Sequence, residues 1–180
     1  MDTSRLNFQD WPLDLLVDYA LKVHHRTIRR EGPATLALVE KVVGENEVMP
    51  EVRELFAGSL EALESHLMKE ENVLFPFLYE LYKADDDGLK IEQMHCGTIG
   101  NPIRVMMMEH GDELARHERI AALTNHYTAP ADASADYRTL LARLEEFMEA
   151  LKEHIHVEND IIFPGFLEVE QRVVTHGFRF

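Results

Sequence analysis

Cysteine is almost missing from this sequence. Cys96 is the single thiol among 180 residues. A disulfide within the chain is therefore impossible, and an iron–sulfur cluster built by this chain alone is implausible. One thiol fits a reducing compartment. Basic charge is scarce as well: 18 Lys and Arg stand against 33 Asp and Glu, for a net charge of −15. Nucleic acid and anionic membrane are poor partners for such a chain, because phosphate binding needs a basic footprint. No apolar run approaches the roughly 20 residues of a membrane span. The opening MDTSRLNFQDWPLDLL lacks the basic and then apolar pattern of a secretory signal. Strand-like alternation is missing too. What remains is a soluble, cytoplasmic, helical chain whose 46% apolar content supports one domain with a sizeable core.

Apolar residues recur at helical spacing in four long segments. The first runs from about Pro12 to Glu31, with Leu13, Leu16, Val17, Ala20, Leu21 and His24 or His25 on its inner side. Gly32-Pro33 is expected to kink or break it before ATLALVEKVV continues to Gly44. The second starts near Pro50 and carries Leu55, Leu60, Leu63, His66, Leu67, Glu70 and Leu74, with Pro76 as its kink or end. A connection rich in glycine, ADDDGLKIEQMHCGTIGN, leads to a third helix over about Pro102 to Asn125. The fourth starts near Ala135, carries Leu140, Leu144, Phe147, Leu151, His154 and Glu158, and is expected to stop or kink at Pro164. The fold class is an all-α, up-down four-helix bundle.

One word is written twice. HLMKEENVLFP begins at His66 and HIHVENDIIFP at His154. Each pairs a His with a Glu four residues later, on one helix face. A lone pair of this kind is commonplace and usually sits on the surface. Two copies with the same Phe-Pro tail, plus His25 and His110 on the other two helices, place one His on each helix. Four inward histidines and two inward carboxylates are costly unless they share a partner. A carboxylate can bridge two metals while imidazoles cap them, and this donor set suits iron, manganese or zinc.

Four stretches, PLDLLVDYALKVHHR, HLMKEENVLFPFL, HCGTIGNPIRVMMMEH and HIHVENDIIFP, resemble the hemerythrin-like di-iron proteins of the iron–sulfur cluster repair family. The resemblance covers most of the chain. It implies metal ligands at His25, His66, Glu70, His110, His154 and Glu158, with His25 chosen over His24 because the family's ligand falls at the second position. It implies two iron ions, bridged by the carboxylates and by an oxo or hydroxo group. The expected role is repair or protection of iron–sulfur clusters under nitrosative or oxidative stress, with nitric oxide, dioxygen or peroxide reacting at open metal positions. Damaged iron–sulfur proteins are the expected clients, and the protein acts as a monomer or homodimer. The alternative is a reversible dioxygen or nitric oxide carrier or sensor; a metal-free helical interaction protein is a third reading. The family's separate N-terminal domain with cysteines has no expected counterpart here, and residues 1–180 are expected to form a single metal-binding domain. A fifth family histidine aligns at Val43, where this sequence has none. Glu40 and Glu47, a turn to either side, are its candidate replacements.

Several other residues have plain expectations. His117, seven residues after His110, reads as a buried or supporting His rather than a ligand. His24 and His156 are expected at the surface, and Met106, Met107 and Met108 in the core as gap-fillers. Cys96 reads as idle, and Asp85 to Asp87 as a solvated loop. Tyr19 and Tyr79 are candidate hydrogen-bond donors near the metals.

Overall fold

A computed structural model describes residues 7–94 and 97–175. Four rods make the bundle. The first joins α1 (Leu13–Tyr19), a π-helical segment (Ala20–His25) and α2 (Arg26–Val42). The second joins α3 (Met49–Lys69), a π segment (Glu70–Leu74) and α4 (Phe75–Asp86). The third is α5 (Gly100–Leu123) alone. The fourth joins α6 (Ala135–Val157), a π segment (Glu158–Ile162) and α7 (Phe163–Val173). Each rod packs against the next, and α2 closes the ring on α6. Two short strands, β1 (Ile91–Glu92) and β2 (Val174–Thr175), pair in parallel and tie the long connection to the end of α7.

None of the three prolines, each expected to kink or end its helix, ends its rod. Pro33 lies inside α2, which runs on unbroken to Val42. Packing holds it there: a methyl group on Gly32 would come within 2.6 Å of a Leu60 methyl, so α3 lies close against this turn. Pro76 and Pro164 each sit directly after a π turn, in the first turn of the next helix, where the missing N–H costs little. In each case the preceding Phe N–H bonds the carbonyl of the Glu five residues back. The repeated Glu-to-Pro word is thus a π turn followed by a helix restart.

Two apolar cores fill the bundle. One gathers Leu16, Val17, Leu74, Phe75, Leu78, Phe163 and Phe166. The other gathers Val39, Val52, Phe56, Leu63, Leu144 and Phe147. Every rod passes from one core to the other at the same level. That level is occupied by His25, His66, His110 and His154, with Glu70 and Glu158. Three of the four rods carry their π segment there, a distortion that is common at functional sites.

Two side-chain expectations fail. Met106 is buried, but Met107 and Met108 are exposed, because consecutive helical residues point in different directions. Asp85 and Asp86 belong to α4 rather than a loop, and Asp85 accepts two hydrogen bonds from Arg172. Cys96 lies outside the described residues.

Candidate metal centre

The six residues singled out in the sequence converge. All are buried, with His25, Glu70 and Glu158 wholly enclosed. Glu70 Oε2 lies 3.4 Å from both His25 Nε2 and His66 Nε2. Glu158 Oε2 lies 3.0 Å from His154 Nε2 and 3.3 Å from His110 Nε2, while its Oε1 is 3.7 Å from His25 Nε2. The rings fall into two pairs: His66 against His110, and His25 stacked on His154. Donor atoms of His66, His110, His154 and Glu158, and those of His25, Glu70, His154 and Glu158, each cluster within 4.8 Å. Each carboxylate therefore stands between imidazoles of different rods.

His25 Nε2, both oxygens of Glu70 and Oε1 of Glu158 are buried with no hydrogen-bond partner. Unmatched buried polar atoms are rare in proteins. Four of them aimed into one polar layer fit a cation that would satisfy them all. The set of imidazole and carboxylate is that of hard or borderline divalent metals.

The outer nitrogens are held as well. His25 Nδ1 donates to Glu71 at 2.8 Å, His66 Nδ1 to Glu109 at 2.8 Å, and His110 Nδ1 to Asn159 Oδ1 at 2.8 Å. Each bond turns the ring so that Nε2 faces inward, the second-layer arrangement typical of metal-binding histidines. Glu71 is itself gripped by Arg29, and Glu109 by Lys69. Sequence reasoning missed Glu71, Glu109 and Asn159. A signal was available, since each sits next to a ligand in the chain or one residue past a repeated Glu. Glu71→Ala is expected to weaken metal binding about 10–100-fold, as loss of such partners does. Competition with a chelator reads this directly, and an unchanged affinity would mean the outer bond does not orient His25.

Charges inside the layer are strongly coupled. Burial alone would lower His25, but the Glu158 and Glu70 carboxylates outweigh it and hold the imidazole up at about 10. Burial likewise opposes His66, which Glu70, Glu158 and Glu109 hold at about 9. His154 goes the other way, to about 4, because its complete burial dominates. Glu158 would be raised by burial, yet the imidazoles of His154, His110 and His25 keep it well below the usual carboxylate range. In the metal-free protein His25 and His66 are thus held as imidazolium beside the Glu158 carboxylate, while His154 stays neutral. His66 Nε2 and His110 Nε2 stand 3.0 Å apart.

The candidates for a replacement fifth ligand do not reach this layer. Glu40 lies fifteen residues beyond His25 on the same rod, about 22 Å away by helical rise. It is exposed and faces Arg53. Glu47 lies past the end of that rod, in the turn before α3. The alignment placed Val43 one turn from each glutamate, but that turn stands at the far end of the bundle.

His24 is a second correction. It is buried, its Nε2 is 3.1 Å from Glu153 Oε1, and its ring stacks on His154. The π segment explains this: it advances fewer degrees per residue than an α-helix, so neighbouring His24 and His25 both turn inward. His156 is exposed as expected and faces Asp160. Tyr19 donates to Glu153, next to His154, whereas Tyr79 donates to Asp18.

His117 contacts none of the six. It lies two turns along α5, fully buried, in a polar trio with Ser59 and Glu113. The Ser59 hydroxyl donates to Glu113 at 2.6 Å and so accepts from His117 Nε2 at 2.9 Å. Burial, aided by Arg116, pushes His117 down to about 4. The unfolded chain binds this proton at the ordinary histidine value of about 6.5, so the stability His117 contributes is full above 6.5 and is lost as pH falls to about 4. The loss amounts to about 3 kcal/mol at most. Chemical denaturation of metal-free protein across this window is expected to show a shallower acid limb in His117→Leu than in the wild type.

Comparison with known proteins agrees with this geometry. The Hemerythrin HHE cation binding domain matches residues 16–166. A protein named "Probable iron-sulfur cluster repair protein" from Haemophilus influenzae is 33% identical over 160 residues, which are 84% of this chain and 64% of that protein. Proteins named "Iron-sulfur cluster repair protein YtfE" are 32% identical in Musicola paradisiaca, over 93% of this chain and 71% of the relative, and 32% identical in Yersinia pseudotuberculosis, over 94% and 74%. The chain thus spans about two thirds to three quarters of these relatives' length.

Proposed function

The chain belongs to the hemerythrin HHE cation-binding family, among its iron–sulfur cluster repair members, and from that membership we propose that it repairs or protects iron–sulfur clusters through a non-haem di-iron centre. His25, His66, His110 and His154, with Glu70 and Glu158, would hold the two irons. The observation that carries this reading is the group of unpartnered donor atoms in one buried layer. Bound iron would supply redox chemistry toward nitric oxide, dioxygen or peroxide. The chain's own residues do the rest. Glu71, Glu109 and Asn159 orient three imidazoles, and the flanking apolar cores keep bulk water from the layer.

Burial also bears on the reactant. Ligands this enclosed favour a diatomic or peroxide over direct contact with a client protein's cluster. Among the described residues no helix is long and apolar enough to cross a membrane. The test is metal analysis with absorption spectra before and after reduction, followed by incubation with a nitric-oxide-damaged iron–sulfur enzyme. Two irons per chain, bands that bleach on reduction, and recovered enzyme activity support the proposal. Full loading with a redox-inert metal, or binding without recovery, would overturn the repair role.

A further inference from the structure

An unbroken run of aromatic rings leads from the candidate centre towards solvent. His154 stacks on His24 at 5.5 Å between ring centroids and 20° between planes. His24 meets Tyr19 edge to face at 4.8 Å. Tyr19 meets Trp11, the chain's single tryptophan, at 5.5 Å. Phe8 covers both, at 5.2 and 5.3 Å. Trp11 is only partly buried. Such contacts are ordinary in an apolar core. This run differs because it starts on a metal-ligand candidate, contains the two residue types most easily oxidised by one electron, and ends at the surface. It also carries a proton acceptor: Tyr19 donates its hydroxyl hydrogen to Glu153 Oε1 at 3.2 Å.

Resting on the di-iron reading above, we propose that Trp11, Tyr19 and His24 form a path along which oxidising equivalents leave the centre and are quenched at the surface by a soluble thiol. An electron passes from Tyr19 through His24 and His154 to the metals. As Tyr19 loses that electron its hydroxyl proton moves to Glu153, and it returns when Tyr19 is refilled from Trp11. The oxidised indole gives its Nε1 proton to water. A thiol then restores Trp11 by donating one hydrogen atom. Two such passages deliver the two electrons that cleave the O–O bond of one peroxide. With two protons from solvent the products are two waters, and the two thiyl radicals join as one disulfide. The path protects the buried ligands: an equivalent that did not escape would oxidise an imidazole.

The test has a metal-free arm and a loaded arm. In metal-free protein, a photogenerated ruthenium(III) oxidant takes one electron from Trp11. The tryptophan radical is expected to exchange with a rising phenoxyl radical until both persist together, at a rate independent of protein concentration; complete conversion to phenoxyl would overturn the outward direction. In Tyr19→Phe that rise is lost. A rise that persists in Tyr19→Phe, or none in the wild type, overturns the path. In iron-loaded protein without thiol, peroxide is expected to leave an aromatic radical by electron paramagnetic resonance, which added thiol removes. Trp11→Phe, with unchanged iron content, loses the tryptophan signal. Iron uptake without any aromatic radical overturns the path alone, whereas failure to take up iron overturns the path and the proposed function together.

Discussion

Glu158→Gln is expected to empty the centre of one or both metals. The substitution keeps the side chain's volume and removes its charge. Glu158 stands within 3.7 Å of His25, His110 and His154, which come from three different rods. Without its charge, the proposed metals would face four imidazoles and one carboxylate. The affinity loss should exceed the ~10–100-fold that follows loss of an outer hydrogen-bond partner. Glu70→Gln should behave alike, since Glu70 joins His25 and His66. The folded chain is expected to survive, because an amide can still accept from His154 and leaves no uncompensated negative charge. Metal analysis after dialysis, with circular dichroism as the check on folding, decides the matter. A variant that retains full metal would remove Glu158 from the ligand set.

The second large effect is on pH. His25 and His66 carry protons in the metal-free protein at neutral pH, since their values stand at about 10 and about 9. Metal can bind only after both leave. Between neutrality and about pH 9 the affinity should therefore rise about a hundredfold per pH unit, tenfold for each proton released. Chelator competition at a series of pH values measures this slope. A slope near zero would mean that neither imidazole is a ligand. The stability of the metal-free fold runs the opposite way. Both groups are raised above the ordinary value of 6.5, so their contribution is full below 6.5 and lost as pH rises through about 9 and 10. Alkali should thus loosen the metal-free bundle while tightening the hold on metal. Denaturation of metal-free and loaded protein at pH 7 and about pH 10 would separate the two trends.

Much of this architecture was legible in the chain itself. Helical spacing of Leu16, Leu63, Leu67, Leu140 and Leu144 places three of the four rods, since only buried positions must repeat with the turn. The doubled His-to-Glu word, with His110 and with His25 chosen over His24 by the family resemblance, names the six residues that meet, because four helices can bury such groups only at a shared point. Proline misled the reading. Pro33, Pro76 and Pro164 each suggest a break by their missing N–H, yet packing on Gly32 carries one helix through and π turns absorb the other two.

What the sequence by itself determined is therefore local and periodic: an all-helical chain, four inward histidines and two inward glutamates, each assigned to a helix face. What only the tertiary structure decided is reach across the bundle. That His25 leans on Glu71, and that His24 turns inward to join Glu153 and Tyr19, follows from the phase of each rod where it meets its neighbours. Glu40 fails to reach the metal layer for another reason: α2 runs unbroken through Pro33 and carries it fifteen residues along the rod from His25. A π turn shifts that phase without changing the apolar pattern. Hydrogen bonds between residues more than forty positions apart depend on it, and no periodicity in the sequence reports it.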